Sequence, residues 1–396
     1  MAKIPFVGLH AHSGLSLNDG LGYPQDHMDF AYENDGNALA LTDHGHMNGL
    51  PYQVLHARKM QASGKNFKPI FGVEAYFNPS LEQWREEYEK AKQEKKKGIK
   101  NEIELSIEDE RASKQKVVDI LKKRNHLILI AQNQTGLNNI FKLVSESYKD
   151  ENFYRYPRID YKLLDLYGDG IIASSACLGG IYAGDYWDYR DVSSAAVLNA
   201  MRQTTERMKN IFGDRWYGEL QWNNIPEQHE LNQHIVQVCK EYDVKLISTA
   251  DSHYPNPDAW KDRELYKRIG WLGKGGLPEY MSAELPSGVE EIGYELYPKN
   301  GEQMWESYHT YSKQVGFDYD DDLVLDSIKR TEYIAHDLIE DFMPDNEVRL
   351  PSFVVPAGKT DIQALTQDCL EGLKEKDLDN KQEYVDRLKE ELFVIR

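Results

Sequence analysis

The stretch Ala38-Leu39-Ala40-Leu41-Thr42-Asp43-His44-Gly45 decides the fold. Four apolar residues without alternation read as a strand covered on both faces, the pattern of a parallel β/α sheet. The strand then runs straight into Asp43-His44, two polar side chains at its C-terminal end. In parallel β/α folds those ends share one face, where active sites collect. Six further runs, 5–10, 69–75, 126–131, 170–175, 216–220 and 245–249, have the same apolar character. Amphipathic helical stretches lie between most of them, clearest at 25–33, 52–63, 136–147, 193–212 and 226–242. Strand alternating with helix is a repeated β-α unit. Seven such units can close into a barrel or lie as an open sheet, and the pattern alone does not choose.

The other runs also end in metal-ligand chemistry. The first gives His10-Ala-His12, with Asp19 following, and the last gives Asp251-Ser-His253. On an extended strand His10 and His12 point the same way, so both can bind one metal cluster. Glu74 lies inside the apolar run Phe71-Gly-Val-Glu-Ala-Tyr76, where a carboxylate is costly to bury unless paired or metal-bound. Cys177 stands just beyond the fifth run and Glu219 in the sixth. Each alone has a bland explanation: a lone histidine is usually a surface or core residue, Asp43-His44 could be a turn, and a lone cysteine is usually a small buried hydrophobe. Their recurrence at successive strand ends points to a site. His126 is the exception, since it opens its run rather than closing it. A tilted strand or a shifted register would be needed to bring it in.

Mixed nitrogen and oxygen donors with one thiolate suit Zn²⁺, Mn²⁺ or Fe²⁺ rather than Mg²⁺ or Ca²⁺ alone. So many ligands exceed one tetrahedral ion and suit two or three, bridged by a carboxylate such as Glu74. Such a centre lowers the pKa of a bridging water and clamps both oxygens of a phosphate ester, so phosphoester hydrolysis is the expected reaction class. Amide or nucleobase hydrolysis is the competitor. No Walker A run or Gly-X-Gly-X-X-Gly follows a strand, and no Ser-His-Asp or Cys-His arrangement is favoured. Gly179-Gly180 is a weak phosphate-nest candidate against a plain turn.

The 396 residues allow two or three ordinary domains, or one large barrel with an appendage. No apolar window is long enough to span a membrane, and the N-terminus lacks a signal-peptide core. Three distant cysteines, Cys177, Cys239 and Cys369, make no disulfide framework, which points to a cytoplasmic protein. The net charge of -19 is uneven: 27 acidic and 12 basic residues after position 280 give -15 there and leave -4 before it. Bound cations can invert the local sign of a site, so an acidic chain can still process phosphate esters. Tight, sequence-independent DNA binding by this chain alone is disfavoured, because phosphate contacts need Lys and Arg. If the chain meets DNA, a basic partner or domains beyond this chain are expected to hold the strand.

The order His10-X-His12, Asp19-Gly20, Thr42-Asp43-His44-Gly45, Gly72-Val73-Glu74, His126-Leu127, Ala176-Cys177-Leu178-Gly179-Gly180 and Asp251-X-His253-Tyr254 resembles the PHP (polymerase and histidinol phosphatase) domain. More narrowly, His126-Leu-Ile-Leu-Ile-Ala-Gln-Asn, Gly170-Ile-Ile-Ala-Ser-Ser-Ala-Cys and Pro226-Glu-Gln228 resemble the N-terminal PHP domain of bacterial replicative DNA polymerase III α subunits. The likeness is good over about residues 5–260 and weaker beyond. It implies an α/β fold, a distorted seven-stranded barrel over residues 1–285, then a mostly helical extension over 286–396 that leads toward a polymerase palm. It implies two or three divalent metal ions held by His10, His12, Asp19, His44, Glu74, His126, Cys177, Asp251 and His253. Asp43 and Glu219 would orient imidazoles. Hydrolysis would depend on His12, Glu74 and Asp251. The implied activity is a 3′–5′ exonuclease on DNA 3′ ends, with polymerase core domains or a polymerase subunit as partner. A catalytically silent, metal-stabilised platform and a small-molecule phosphatase are the alternatives. The palm aspartates are not in this chain, which suits either a fragment of a longer polymerase or a separate, phage-type subunit.

Outside the barrel, 82–116 reads as a Glu- and Lys-rich helical insertion, with a weak basic contact at Lys95–Lys97. After about residue 255 the alternation stops: 270–293 reads as loop, 318–322 as an acidic loop, 326–340 as a helix and 349–358 as extended. The stretches 363–374 and 380–394 read as two more helices.

Overall fold

The computed structural model describes residues 3–100, 118–272, 285, 287–345, 347 and 352–396. Its strands are β1 (Ala38–Leu41), β2 (Lys68–Phe77), β3 (Asn125–Ala131), β4 (Phe153–Tyr154), β5 (Tyr156–Ile159), β6 (Ile171–Ser174), β7 (Trp216–Gln221) and β8 (Lys245–Thr249). One sheet runs β1-β2-β3-β6-β7-β8, with β5 and then β4 branching from the far end of β2. The first apolar run makes no regular strand. Instead Gly8 bridges Leu39 of β1, and Ala11 bridges Ser252 just after β8. The carbonyls of Gly8 and Ala11 accept from Ala40 and Thr42, and the His12 amide donates to Ser252. This extended segment therefore joins the two sheet edges, and the ring has seven members: six strands and the N-terminal segment.

The ring is not uniformly parallel. β3 runs antiparallel to both neighbours, β2 and β6, while β1-β2 and β6-β7-β8 pair in parallel. The first residues of β3 thus lie with the last residues of the others: His126 is opposite Tyr76 and Ile128 opposite Glu74. Reversal of one strand corrects the all-parallel expectation and removes any need for a tilt or shifted register.

Alternation sorts each strand into an inner and an outer face. Val7, Leu9, Ala38, Ala40, Ile70, Ile128, Ile130, Ile172, Tyr217 and Ile247 form the inner core, with Ile334, Ala335 and Ile339 packed among them. Val73, Ala75, Leu127, Leu129, Ala173 and Leu220 face outward to the covering helices. The helix Ser194–Phe212 shows why these elements form. Ser193 caps it by accepting from the Ala196 amide, Val197, Met201, Met208 and Phe212 are buried along it, and Gly213 at φ +58° ends it.

The first compact unit is Met1–Pro344 and the second Asp345–Arg396. The first unit thus continues past the boundary expected at 285–286. The physical reason is burial: Met304 and Tyr308 of the helix Gly301–Val315, and Val324 and Ile328 of the helix Asp321–Tyr333, belong to the outer core. A π-helical turn, Ile334–Leu338, then supplies apolar side chains to the inner one. The acidic stretch 318–322 starts a helix rather than forming a loop. Asp320 caps it, and Asp321 and Asp322 sit in its first turn, where carboxylates suit the helix dipole. A helix Trp260–Leu272 occupies a region where the alternation had stopped. The insertion begins as a helix, Leu81–Lys100, with Leu81 and Trp84 buried. The Lys95–Lys97 side chains, residues 101–117 and most of the 270–293 stretch lie outside the described residues. The second unit contains the helices Asp361–Glu375 and Gln382–Ile395, close to the two expected there.

Candidate metal centre

One step beyond the apolar inner layer, the same alternation delivers polar groups: Glu74 above Ile70 and Gly72 on β2, Ser174 above Ile172, Glu219 above Tyr217 and Thr249 above Ile247. On reversed β3 the step runs the other way, so His126 stands above Ile128. Glu74 is wholly buried and is the hub. Its Oε2 lies 3.0 Å from His12 Nε2 and 2.8 Å from His44 Nδ1. Its Oε1 lies 2.9 Å from His126 Nδ1, 3.6 Å from His10 Nε2 and 4.0 Å from Cys177 Sγ. Asp251 Oδ1 lies 3.0 Å from His10 Nε2 and 3.5 Å from both His12 Nε2 and His253 Nδ1. Asp19 Oδ2 lies 3.1 Å from His44 Nε2 and 3.3 Å from His253 Nε2. All nine residues singled out from the sequence meet in this one place.

Several of these contacts are not hydrogen bonds. Glu74 Oε2, Asp251 Oδ1 and His44 Nδ1 are buried without any hydrogen-bond partner, although each has a nitrogen or oxygen of another side chain nearby. Buried polar atoms are normally paired, so donors converging with unaligned lone pairs fit a cation held among them. Three trios offer ligand atoms within 4.8 Å of one another: His12, His44 and His253; His10, His12 and Asp251; His44, Glu74 and His126. The donor chemistry and the orphaned atoms fit divalent metal.

The electrostatics have the same origin. Burial alone would raise the pKa of Glu74, but His126, His44, His10 and His12 outweigh it and hold the carboxyl well below its usual range. Burial would likewise raise Asp251 and Asp19, yet His10 and His253 respectively lead the groups that lower them. His44 shows the converse: burial lowers it, Glu74 and Asp19 outweigh that, and it is raised to about 10. For His12, burial and the neighbouring His44 and His253 prevail, pushing it down to about 4. Burial, then Asp251 and Glu74, push the Cys177 thiol well above its ordinary value.

The surroundings fix ring orientations. Glu219 Oε1 accepts from His10 Nδ1 at 2.7 Å, from Thr249 Oγ1 at 2.6 Å and from Gln221 Nε2 at 3.1 Å. Its Oε2 accepts from Ser174 Oγ at 2.6 Å. Asp43 touches no imidazole of the cluster. It accepts from the Ser13 amide and the Ser16 hydroxyl, and Ser16 Oγ in turn lies 3.1 Å from His12 Nδ1. The sequence did not signal Ser16, nor Arg263, which comes from the helix after the last strand. Arg263 Nη2 lies 2.6 Å from Asp19 Oδ1, and its Nε donates to the Asp19 carbonyl at 2.8 Å. Gly179-Gly180 behaves as a turn rather than a nest: the Gly180 amide donates to Cys177, and the Gly179 carbonyl receives the His126 amide. Asp251 at φ +48° and Ala176 at φ +59° hold left-handed backbone, unusual for side-chain-bearing residues and often found at functional sites.

A closed β/α ring with an imidazole-carboxylate cluster at one end defines a metal-binding barrel. The chain belongs to the PHP domain family, whose profile matches residues 8–223. It is 33% identical to the DNA polymerase III subunit alpha of Aquifex aeolicus, over 98% of this chain and 30% of that protein. It is 27% identical to the Campylobacter jejuni subunit, over 99% of this chain and 30% of that protein. The chain thus spans about a third of the length of these relatives. A solved amidohydrolase structure from Chromobacterium violaceum aligns with 66% of this chain and 96% of its own, at a TM-score of 0.32 and 17% identity. No helix among the described residues is long and apolar enough to cross a membrane.

Proposed function

We propose that this chain is the PHP part of a DNA polymerase III α-like replicase and that its cluster hydrolyses the terminal phosphodiester of a DNA 3′ end. The observation that carries this reading is Glu74, a fully buried carboxylate within 3.6 Å of four imidazoles and with an oxygen that no hydrogen bond satisfies. His10, His12, Asp19, His44, Glu74, His126, Cys177, Asp251 and His253 would hold two or three ions of Zn²⁺, Mn²⁺ or Fe²⁺. When bound, the ions would supply Lewis-acid activation of water and neutralise charge on the phosphoryl group. The protein supplies the rest. Glu219 fixes the His10 tautomer with Nε2 facing the cluster, Ser16 backed by Asp43 does so for His12, and Arg263 aims Asp19. The relatives' name supports a DNA substrate and polymerase core domains as partner.

The test is release of mononucleotides from a 3′-labelled, mismatched primer by the metal-loaded chain. Chelator, His12→Ala and Asp251→Asn should each abolish it while the variants keep their helical circular dichroism. A metal-loaded chain that leaves both single-stranded and mismatched DNA intact would sink the proposal and leave the structural-platform alternative.

A further inference from the structure

The next inner position beyond Glu74 on β2 is Tyr76, directly opposite His126 of β3. Its ring stands against two of the proposed ligands. It stacks on the His44 imidazole, with centroids 5.7 Å apart and planes 9° apart, and meets the His126 ring edge-on at 5.5 Å. Tyr156 lies edge-on at 5.0 Å, and the Arg124 guanidinium, itself stacked on Tyr156, has its Cζ 5.2 Å from the Tyr76 centroid. Gly45, at φ +69°, brings the backbone after His44 so close that a Cβ there would fall 3.0 Å from Tyr76 Cε2. The ring is therefore clamped on several sides, and Tyr76 as a whole is 8% exposed.

The hydroxyl is placed differently. A tyrosine buried this far usually finds a hydrogen-bond partner for its O–H. Among the described residues this one has none, and it is not sealed from solvent. The carboxylates of Glu74 and Asp19 both act on it electrostatically, so it lies within reach of the cluster. A donor held in place by its ring, without a protein acceptor, thus opens at the end of the strand that carries Glu74. Its acceptor must come from outside the chain. The group that a multi-metal centre clamps is a phosphoryl group, whose non-bridging oxygens are strong acceptors. We propose that the Tyr76 hydroxyl donates a hydrogen bond to a non-bridging oxygen of the substrate phosphate beside His44, Glu74 and His126. A donor fixed before the substrate arrives needs no reorganisation when charge builds on that oxygen. The inference rests on the phosphodiesterase reading and names a side chain that touches the phosphate.

The test is isothermal titration calorimetry of inorganic phosphate, and of thymidine 5′-monophosphate as the product of exonuclease release, into the Mn²⁺-loaded full chain. Tyr76→Phe keeps the ring and its stacking. It should weaken both probes about tenfold, the loss of one hydrogen bond to a charged oxygen. Its Mn²⁺ affinity, read by competition with a chromophoric chelator, and its melting temperature should match the parent's. Tyr156→Phe, the same change on the adjoining ring, should bind both probes as the parent does. The proposal is overturned if the parent binds neither probe, if Tyr76→Phe binds either probe as tightly as the parent, or if Tyr156→Phe loses as much. It is also overturned if Tyr76→Phe loses Mn²⁺ affinity in step with phosphate, because the residue would then support the ligands rather than touch the substrate. A parent that binds both probes through Tyr76 yet releases no mononucleotide from a mismatched primer upholds the donor and counts against hydrolysis alone. A parent that releases mononucleotides while Tyr76→Phe binds phosphate undiminished counts against the donor alone.

Discussion

Changing Glu219 to Gln keeps the volume of a fully buried side chain and removes its charge. Four donors converge on this carboxylate: three on Oε1, from His10, Thr249 and Gln221, and one on Oε2, from Ser174. An amide can satisfy them in only one orientation. Its oxygen must replace Oε1, and its NH2 must face Ser174, whose hydroxyl can turn to accept. In that orientation the His10 Nδ1–H bond survives but becomes neutral, a loss of about 1–1.5 kcal/mol. That corresponds to roughly a tenfold loss of metal affinity, the lower end of what such outer partners contribute. The metal-free protein should not suffer equally, because Glu219 shares its neighbourhood with the carboxylates of Glu74 and Asp251, each within 3.6 Å of His10. Removing a like charge there offsets the weaker bond. Competition for metal against a chromophoric chelator measures the first effect, and thermal melting in excess chelator measures the second. Glu219→Ala is the contrast. It leaves His10 Nδ1, the Gln221 amide and two hydroxyls without their acceptor, at about 1–3 kcal/mol each, and should lower the melting point of both forms. If Glu219→Gln binds metal as tightly as the parent, or destabilises the metal-free chain as much as Glu219→Ala does, Glu219 is a packing residue and does not position His10.

Arg263→Lys should not rescue Arg263→Gln, because the two contacts to Asp19 use Nε and Nη2 of one planar fork; both variants should lose about 1–2 kcal/mol in urea titrations, less than for a fully buried pair because Asp19 is 35% exposed. Asp185→Asn should stabilise the chain at neutral and higher pH. Burial raises the Asp185 carboxyl from 3.8 to about 7, so its contribution is fully present below about pH 4 and is lost as pH rises through 7. Three units give a ceiling of about 4 kcal/mol, and partial exposure halves it to about 2. Melting curves of the two proteins should coincide near pH 4 and separate by pH 8, with parallel curves refuting the assignment. Gly20→Ala should destabilise by about 1–3 kcal/mol and weaken metal binding, since its Cβ would fall 2.0 Å from the Ser13 carbonyl oxygen and push Asp19 aside; unchanged stability would show that this loop gives way.

Much of the site was legible because strand alternation is local. Each apolar run names its own inner face, and the next inner position beyond it holds the ligand, as Glu74 does above Ile70 and Gly72. Ser16 and Arg263 were not legible. Their hydrogen bonds reach Asp43, 27 residues away, and Asp19, 244 away, and no periodicity encodes a contact of that kind. The helix Trp260–Leu272 escaped notice because its buried side chains include Arg263, Glu264 and Arg268, so its inner face carries charge rather than an apolar stripe.

The sequence by itself determined the ligand types, their order along the chain and the expectation that strand ends gather them. It left open how the strands close, since period-two alternation is the same in parallel and antiparallel pairs. Only the tertiary structure decided that β3 runs backwards, which puts His126 with Glu74, and that an irregular N-terminal segment closes the ring between β1 and Ser252. It also decided that residues well beyond 285 complete the barrel, because the inner core needs Ile334, Ala335 and Ile339. Direction, closure and capping are set by which distant surfaces exclude water together, and that property belongs to the folded chain as a whole.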